Sequence, residues 1–184
     1  TATVRLGVDT WSIAITGTGY EIGDILTVSA GTAVIPAQVK VEAKDFTGGI
    51  TQVSLVQAGV YTVLPDNIAS ITLVGGTGSG AKLSALWKVT QIVVVTGGGN
   101  YGSASAIFTG GNPTVGAEAT PIEVGGVIKD ITIVNSGSGY SSIPLVNIYL
   151  PRLAIVTENL GTDFDNDLAD GQLLRGLTSG AVAK

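Results

Sequence analysis

The chain has no cysteine, no histidine and no methionine among its 184 residues. Without thiols it forms no disulfide, and without thiolate or imidazole it holds no zinc site of the common kinds. The same absences remove every Ser-His and Cys-His nucleophile arrangement. Lack of cysteine is compatible with any redox compartment, so it localises nothing. Charge is scarce too: 12% of residues are charged against 45% hydrophobic, and the formal net charge is −5. That balance opposes binding to nucleic acid or to an anionic membrane surface, which both need clustered Lys and Arg. No apolar run approaches the roughly 20 residues that span a bilayer. The opening TATVRLGVDT has neither the charged leader nor the apolar stretch of a signal peptide. A small Thr1 fits a chain that has lost an initiator methionine.

Glycine is plentiful, with 27 residues. The Val, Ile and Thr content suits the pleated, half-buried surface of strands. The length allows one good core, or at most two small domains. Four stretches repeat one pattern: WSIAITGTGY, TQVSLVQAGVY, TQIVVVTGGGNY and KDITIVNSGSGY. One inward position is Ile13, Val53, Ile92 and Ile131, at spacings of 40, 39 and 39. Two residues on, Ile15, Leu55, Val94 and Ile133 keep the same spacings. The tyrosines that close each stretch, Tyr20, Tyr61, Tyr101 and Tyr140, follow at 41, 40 and 39. A repeat at this period is an architectural signature.

Each unit reads as three strands. A first strand follows the tyrosine at residues 24–28, 70–74, 105–108 and 145–149, twice introduced by a proline (Pro65, Pro144) whose fixed φ suits the turn. After a glycine or alanine loop, the second strand covers 38–43, 81–86 or 117–124, and the third runs into the next glycine corner. Short turns such as Thr47-Gly48-Gly49 and Gly125-Gly126 join second to third, since glycine accepts the positive φ of tight hairpins. The chain opens in mid-unit, with 2–6 as a second strand and 11–16 as a third, and it leaves the array at 145–149. The expectation is an all-β body, residues 1–150, of about twelve short strands in four pseudo-repeats, either a sandwich or a closed barrel-like body. In it the last strand completes the unit that the first two begin. Closure would remove exposed edges, which matters for the uncharged run QIVVVT.

Residues 151–184 lose the period and carry five of the fourteen acidic residues. Phe164 and Leu168, followed by Leu173, Leu174 and Leu177, space apolar anchors so that one or two short helices fit. Such a segment either packs back on the sheet or lies on a partner. Asp163, Asp165, Asp167 and Asp170 have the spacing of a calcium loop, but Leu168 stands where the turn needs glycine and Leu174 where a bidentate glutamate belongs.

Other motifs carry little chemistry. Gly97-x-Gly99-x-x-Gly102 matches a dinucleotide pattern but runs into a strand rather than a helix. The stretch 76–82 resembles a phosphate loop, with Ala81 between Gly80 and Lys82 and no helix behind it. The corner tyrosines with Trp11 and Trp87 form a candidate sugar-stacking set, against which stands their recurrence as structural corners. Asp9, Asp24, Asp45, Asp66 and Asp130 lie near turns, where Asp bonds its own backbone, and no carboxylate pair is evident. No cofactor, no metal and no catalytic residue is expected.

The unit resembles the glycine-rich GxGY repeats of tailed-bacteriophage virion proteins. The corners that carry the resemblance are Gly17-Thr18-Gly19-Tyr20 and Gly137-Ser138-Gly139-Tyr140 in clean form. Gly59-Val60-Tyr61 and Gly99-Asn100-Tyr101 read as departing by one inserted residue. The resemblance covers residues 2–149 and implies a non-enzymatic virion structural protein, a capsid decoration (cement) protein that binds and stabilises the assembled shell. It also implies partners in the major capsid protein or other virion proteins, homo-oligomers, and residues 151–184 as a clamping arm. A tail, baseplate or fibre component and a carbohydrate-binding surface module are the alternatives.

Overall fold

The computed structural model describes residues 1–149, together with 174–175 and 182–183. The chain divides into two units, Thr1–Pro151 and Arg152–Lys184. The described residues are all strand, turn and loop, with no helix among them. In the second unit, β13 (Leu174–Arg175) and β14 (Val182–Ala183) pair antiparallel. Leu174 is therefore extended and opposite Ala183. Phe164, Leu168, Leu173 and Leu177, the helices proposed around them, and the four spaced aspartates lie outside the described residues.

The first unit holds twelve strands: β1 (Ala2–Ile15), β2 (Ile25–Val28), β3 (Thr32–Ile35), β4 (Gln38–Lys44), β5 (Ile50–Gln57), β6 (Val60–Val63), β7 (Ile71–Val74), β8 (Lys82–Val94), β9 (Ser105–Thr109), β10 (Glu118–Val124), β11 (Val127–Asn135) and β12 (Leu145–Tyr149). All ladders are antiparallel. One sheet has the order β3-β6-β1-β8-β7-β2-β4-β5, and two further ladders are β10-β11 and β12-β9. The body is sandwich-like and not a closed barrel.

Two of the four expected hairpins form. β4 turns into β5 through a loop with Gly48 at φ 79°, and β10 turns into β11 through Gly125 and Gly126 at φ 59° and 76°. The other two are opened out. The segments expected at 2–6 and 11–16 merge into one continuous strand, β1, which ends at Ile15, while those expected at 81–86 and 91–96 are joined through β8. The two long strands then pair with each other: Val4 faces Ile92 at one end and Ile13 faces Leu83 at the other. The reason lies in the linking residues. Trp87-Lys88-Val89-Thr90 contains no glycine, and forcing such residues left-handed costs about 1–2 kcal/mol each. In β1 the corresponding Gly7 is not turned; an added Cβ there would lie 2.7 Å from Gly59 O, so it serves close approach.

The exchange reassigns the units in space. One is β2, β4 and β5; another is β7, the start of β8 and the end of β1. A third is β9, β10 and β11, and the fourth is β12, the start of β1 and the end of β8, with β9 packed on β10 and β12 on β1. The first strands then couple in pairs, β2 with β7 and β9 with β12. The last strand thus lies against the first, as the open-ended array implied, but the unit it joins ends in β8 and not in residues 11–16. Edges remain at β3 and β5. The first unit keeps twelve strands because two fusions are balanced by β3 and β6, which pair with each other where only loop was expected.

The buried core is one cluster that runs through all four units. Trp87 lies at its centre, fully buried at the midpoint of β8. Its ring meets Tyr61 edge-on, with centroids 4.8 Å apart, and its backbone exchanges two hydrogen bonds with Tyr140 at 2.9 and 3.0 Å. Its indole N–H finds no partner among the described residues, a cost of about 1–3 kcal/mol that the surrounding apolar burial offsets.

Candidate functional site

The tyrosine corners are the most ordered constellation in the sequence, and three of them share one construction. Tyr20, Tyr61 and Tyr140 are 1%, 0% and 0% exposed. Each hydroxyl accepts a hydrogen bond from a backbone N–H: that of Ala81 to Tyr20 (3.3 Å), of Ala37 to Tyr61 (2.9 Å) and of Ala117 to Tyr140 (2.7 Å). Each alanine immediately precedes a second strand, so the tyrosine that ends a third strand clamps the start of the second strand beside it. For Tyr20 that strand is β8 and not a segment of its own repeat, a direct consequence of the exchange. Two corners are tied further by a double backbone pair, Thr18 with Ser79 and Ser138 with Val115.

Glycine is required where this construction is tightest. Gly17, Gly59 and Gly137 have φ of 63°, 77° and 63°. A Cβ on any of them would approach the clamped alanine N–H to within 2.6–2.7 Å. At the fourth corner the left-handed residues are Gly98 (φ 64°) and Asn100 (φ 63°). This corrects the sequence reading: Gly98-Gly99-Asn100-Tyr101 is in clean register with no insertion, and Asn, the side chain most tolerant of this region, replaces the second glycine. Gly99 is an intervening residue with open space around it. Gly19 and Gly139 hold the second left-handed position, at 77° and 75°.

Tyr101 differs from its three relatives. It is only partly buried, and no N–H of a described residue bonds its hydroxyl. It borders a cleft of ≈ 400 Å³ lined by Thr1, Ala2 and β12.

Buried rings offer no face to a sugar, which removes Tyr20, Tyr61, Tyr140 and Trp87 from any stacking platform. Trp11 and Tyr101 remain partly exposed and belong to different units. The GxGxxG stretch leads into β9, and Lys82 of the phosphate-loop-like stretch begins β8, so neither motif abuts a helix. Among the described residues no three His, Cys, Asp or Glu side chains gather as a metal site.

The turn carboxylates act on backbone. Asp45 Oδ1 accepts from Thr47 Oγ1 (2.7 Å) and from the N–H groups of Thr47 and Gly49 (each 2.8 Å). The Thr47 hydroxyl and then the Gly49 amide hold its carboxyl below the usual range. Asp24 Oδ2 accepts from the Glu21 and Thr77 amides and the Thr77 hydroxyl, which lower its pKa in that order and tie the Tyr20 corner to the 75–80 loop. Glu42 is lowered by the Ser54 hydroxyl and then by Lys40. Burial pushes the Tyr61 phenol up, opposed in part by the Ala37 N–H.

Two sets of residues escaped the sequence reading. The clamped alanines are Ala37, Ala81 and Ala117, directly after Pro36, Gly80 and Gly116, and nothing local marks them as partners of a tyrosine. Phe46, at the tip of the β4–β5 turn, is 100% exposed. Its signal was an aromatic in the middle of an Asp-x-Thr-Gly-Gly turn, where an apolar ring has nothing of its own to pack on. Comparison with known proteins finds no family model that matches the chain, no similar curated protein and no similar solved structure.

Proposed function

We propose that this is a non-enzymatic structural protein of a tailed-phage particle, a decoration protein that binds the assembled capsid through protein–protein contacts. Phe46 carries this reading. A fully exposed phenylalanine is held out on a turn that Asp45 fixes through three hydrogen bonds. The turn is bound in addition to the Tyr20 corner, through Gly19 N–H to Thr47 O and Tyr20 N–H to Gly48 O. Aromatic side chains dominate the energetic centres of protein interfaces, and a turn already ordered gives up little entropy on docking. The low charge of the chain suits contact with protein better than with genome.

Fractionated particles test it. The wild-type chain is expected on shells and absent from free tails. Phe46→Ser is expected to lower shell affinity at least tenfold, about the loss of one interface hot spot. A chain truncated after residue 150 is expected to fold and to fail to bind, if 151–184 is the arm. Recovery with tails or baseplates would move the protein to that part of the particle. Shell binding indifferent to Phe46→Ser would remove the surface proposed here.

A further inference from the structure

Phe46 stands at the tip of its turn, and the side chains around it carry charge that the fold does not use. Between Tyr20 and Gln57 the charged residues are Glu21, Asp24, Lys40, Glu42, Lys44 and Asp45. The two lysines are taken by the two glutamates: Lys40 Nζ lies 3.2 Å from Glu42, and Lys44 Nζ 2.7 Å from Glu21. Asp24 and Asp45 form no salt bridge among the described residues. Lys44 acts on Asp24 only as the last of the causes that lower its pKa. Both aspartates belong to the end of the body that bears Phe46. Gly19 and Tyr20 bond the Asp45 turn, and the Thr77 hydroxyl lies 3.0 Å from Gly19 O and 2.8 Å from Asp24 Oδ2. Ile22, 62% exposed, follows Glu21 at the same end.

Each aspartate uses a single oxygen. All three hydrogen bonds of Asp45 converge on Oδ1, and all three of Asp24 on Oδ2. Asp45 Oδ2 and Asp24 Oδ1 accept none from a described residue. Ionisation strengthens these bonds, but a turn of this kind needs only an accepting oxygen, which asparagine also supplies. It does so twice in this chain: Asn67 Oδ1 accepts from Ala69 N–H at 3.1 Å, and Asn135 Oδ1 from Gly137 N–H at 2.9 Å. The second oxygen of Asp24 and of Asp45, with the charge it shares, therefore has no use among the described residues.

A ring exposed on every side, as Phe46 is, is buried only by a concave partner, since a flat one covers a single face. We propose that the partner surface is an apolar pocket of a protein, edged by arginine or lysine. Phe46 fills the pocket and Ile22 lies against its lip. The second oxygens of Asp24 and Asp45 accept charge-assisted hydrogen bonds from the cations at its edge. This rests on Phe46 as the shell-binding anchor and adds the chemistry of what receives it.

Binding of the full-length protein to purified shells, over a salt series from about 50 to about 500 mM, tests the pocket and the anchor separately. Wild-type affinity is expected to fall as salt rises, because charges at the edge of a contact are screened. The double variant Asp24→Asn, Asp45→Asn keeps an accepting oxygen in each turn. It is expected to weaken low-salt binding about tenfold and to flatten the salt dependence. Phe46→Ser is expected to weaken binding at every salt concentration while the slope persists. The wild-type series needs no variant to fold: affinity flat across it overturns the cationic edge by itself. A double variant that binds less but keeps the wild-type slope has lost its turns and not a charge contact, and it too overturns the proposal. In either case a loss of binding in Phe46→Ser leaves the anchor standing. Affinity indifferent to all three substitutions removes anchor and pocket together.

Discussion

The β4–β5 hairpin and the β1–β8 pair are built from the same repeat and end in different topologies. In the first, second and third strands meet through a five-residue turn pinned by Asp45 and relieved by Gly48. In the second, Trp87-Lys88-Val89-Thr90 offers no residue at ease in the left-handed region, so the strand continues and finds its partner in another repeat. Strand pairing does not require one repeat to supply both partners: Ile92 meets Val4 at one end of the pair and Ile13 meets Leu83 at the other. The turn therefore decides the topology. The exchange welds the molecule together: a body of four separate hairpin units would have no strand in common, whereas β1 and β8 each serve two units.

Breaking the weld should produce the largest effect. Trp87→Ala removes the side chain that touches the Tyr61 corner from the centre of β8, and is expected to cost about 3–5 kcal/mol, read from the urea midpoint at unchanged slope. A loss under about 1 kcal/mol would mean that the two halves stand without it. Next come the corners. Phenylalanine in place of Tyr20, Tyr61 or Tyr140 leaves a buried alanine N–H without its acceptor and is expected to cost about 1–3 kcal/mol each. Tyr101→Phe, at a hydroxyl that no described N–H bonds, is expected to cost less than any of these three. Equal costs at all four would erase the distinction drawn between closed and open corners.

The smallest effects are electrostatic. Asp24 and Asp45 have lowered pKa values, so their contribution is present above the ordinary carboxylate range near about 4 and is lost as pH falls through the lower folded values. Amide resonances of Thr77, Thr47 and Gly49 are expected to shift in that acid window, with the strand amides unmoved. Tyr61 has the opposite sign. Its raised pKa leaves stability intact below about pH 10, to be lost as pH rises toward the higher folded value. Alkaline denaturation should therefore weaken in Tyr61→Phe once its baseline loss is subtracted.

Much of the fold was legible in the residues. The four first strands fall within one residue of their expected ranges, because each follows a tyrosine corner and three of them run into a glycine-containing loop. The β4–β5 and β10–β11 hairpins were legible from their Gly-Gly turns. The β3–β6 ladder was not, since residues 30–35 read as a small-residue loop and acquire strand form only by pairing with β6 at the Tyr61 corner. Among candidate site residues the tyrosines were legible by period, yet the alanines they clamp lie 24 and 23 residues upstream in two cases and 61 downstream in the third. No local pattern announces a partner at such unequal distances.

By itself the sequence determined that this is a β-protein of four like units, with a corner tyrosine in each, and without thiol or imidazole chemistry. Those properties follow from periodicity, from glycine at positions that need positive φ, and from residue types absent altogether. The tertiary structure alone decided which repeat pairs with which, and so which tyrosines close. Equivalent strands compete on nearly equal terms, and the choice among them falls to the few linking residues that will or will not turn. Three corners close because a strand start from somewhere in the body reaches them. At Tyr101 no N–H of a described residue meets the hydroxyl.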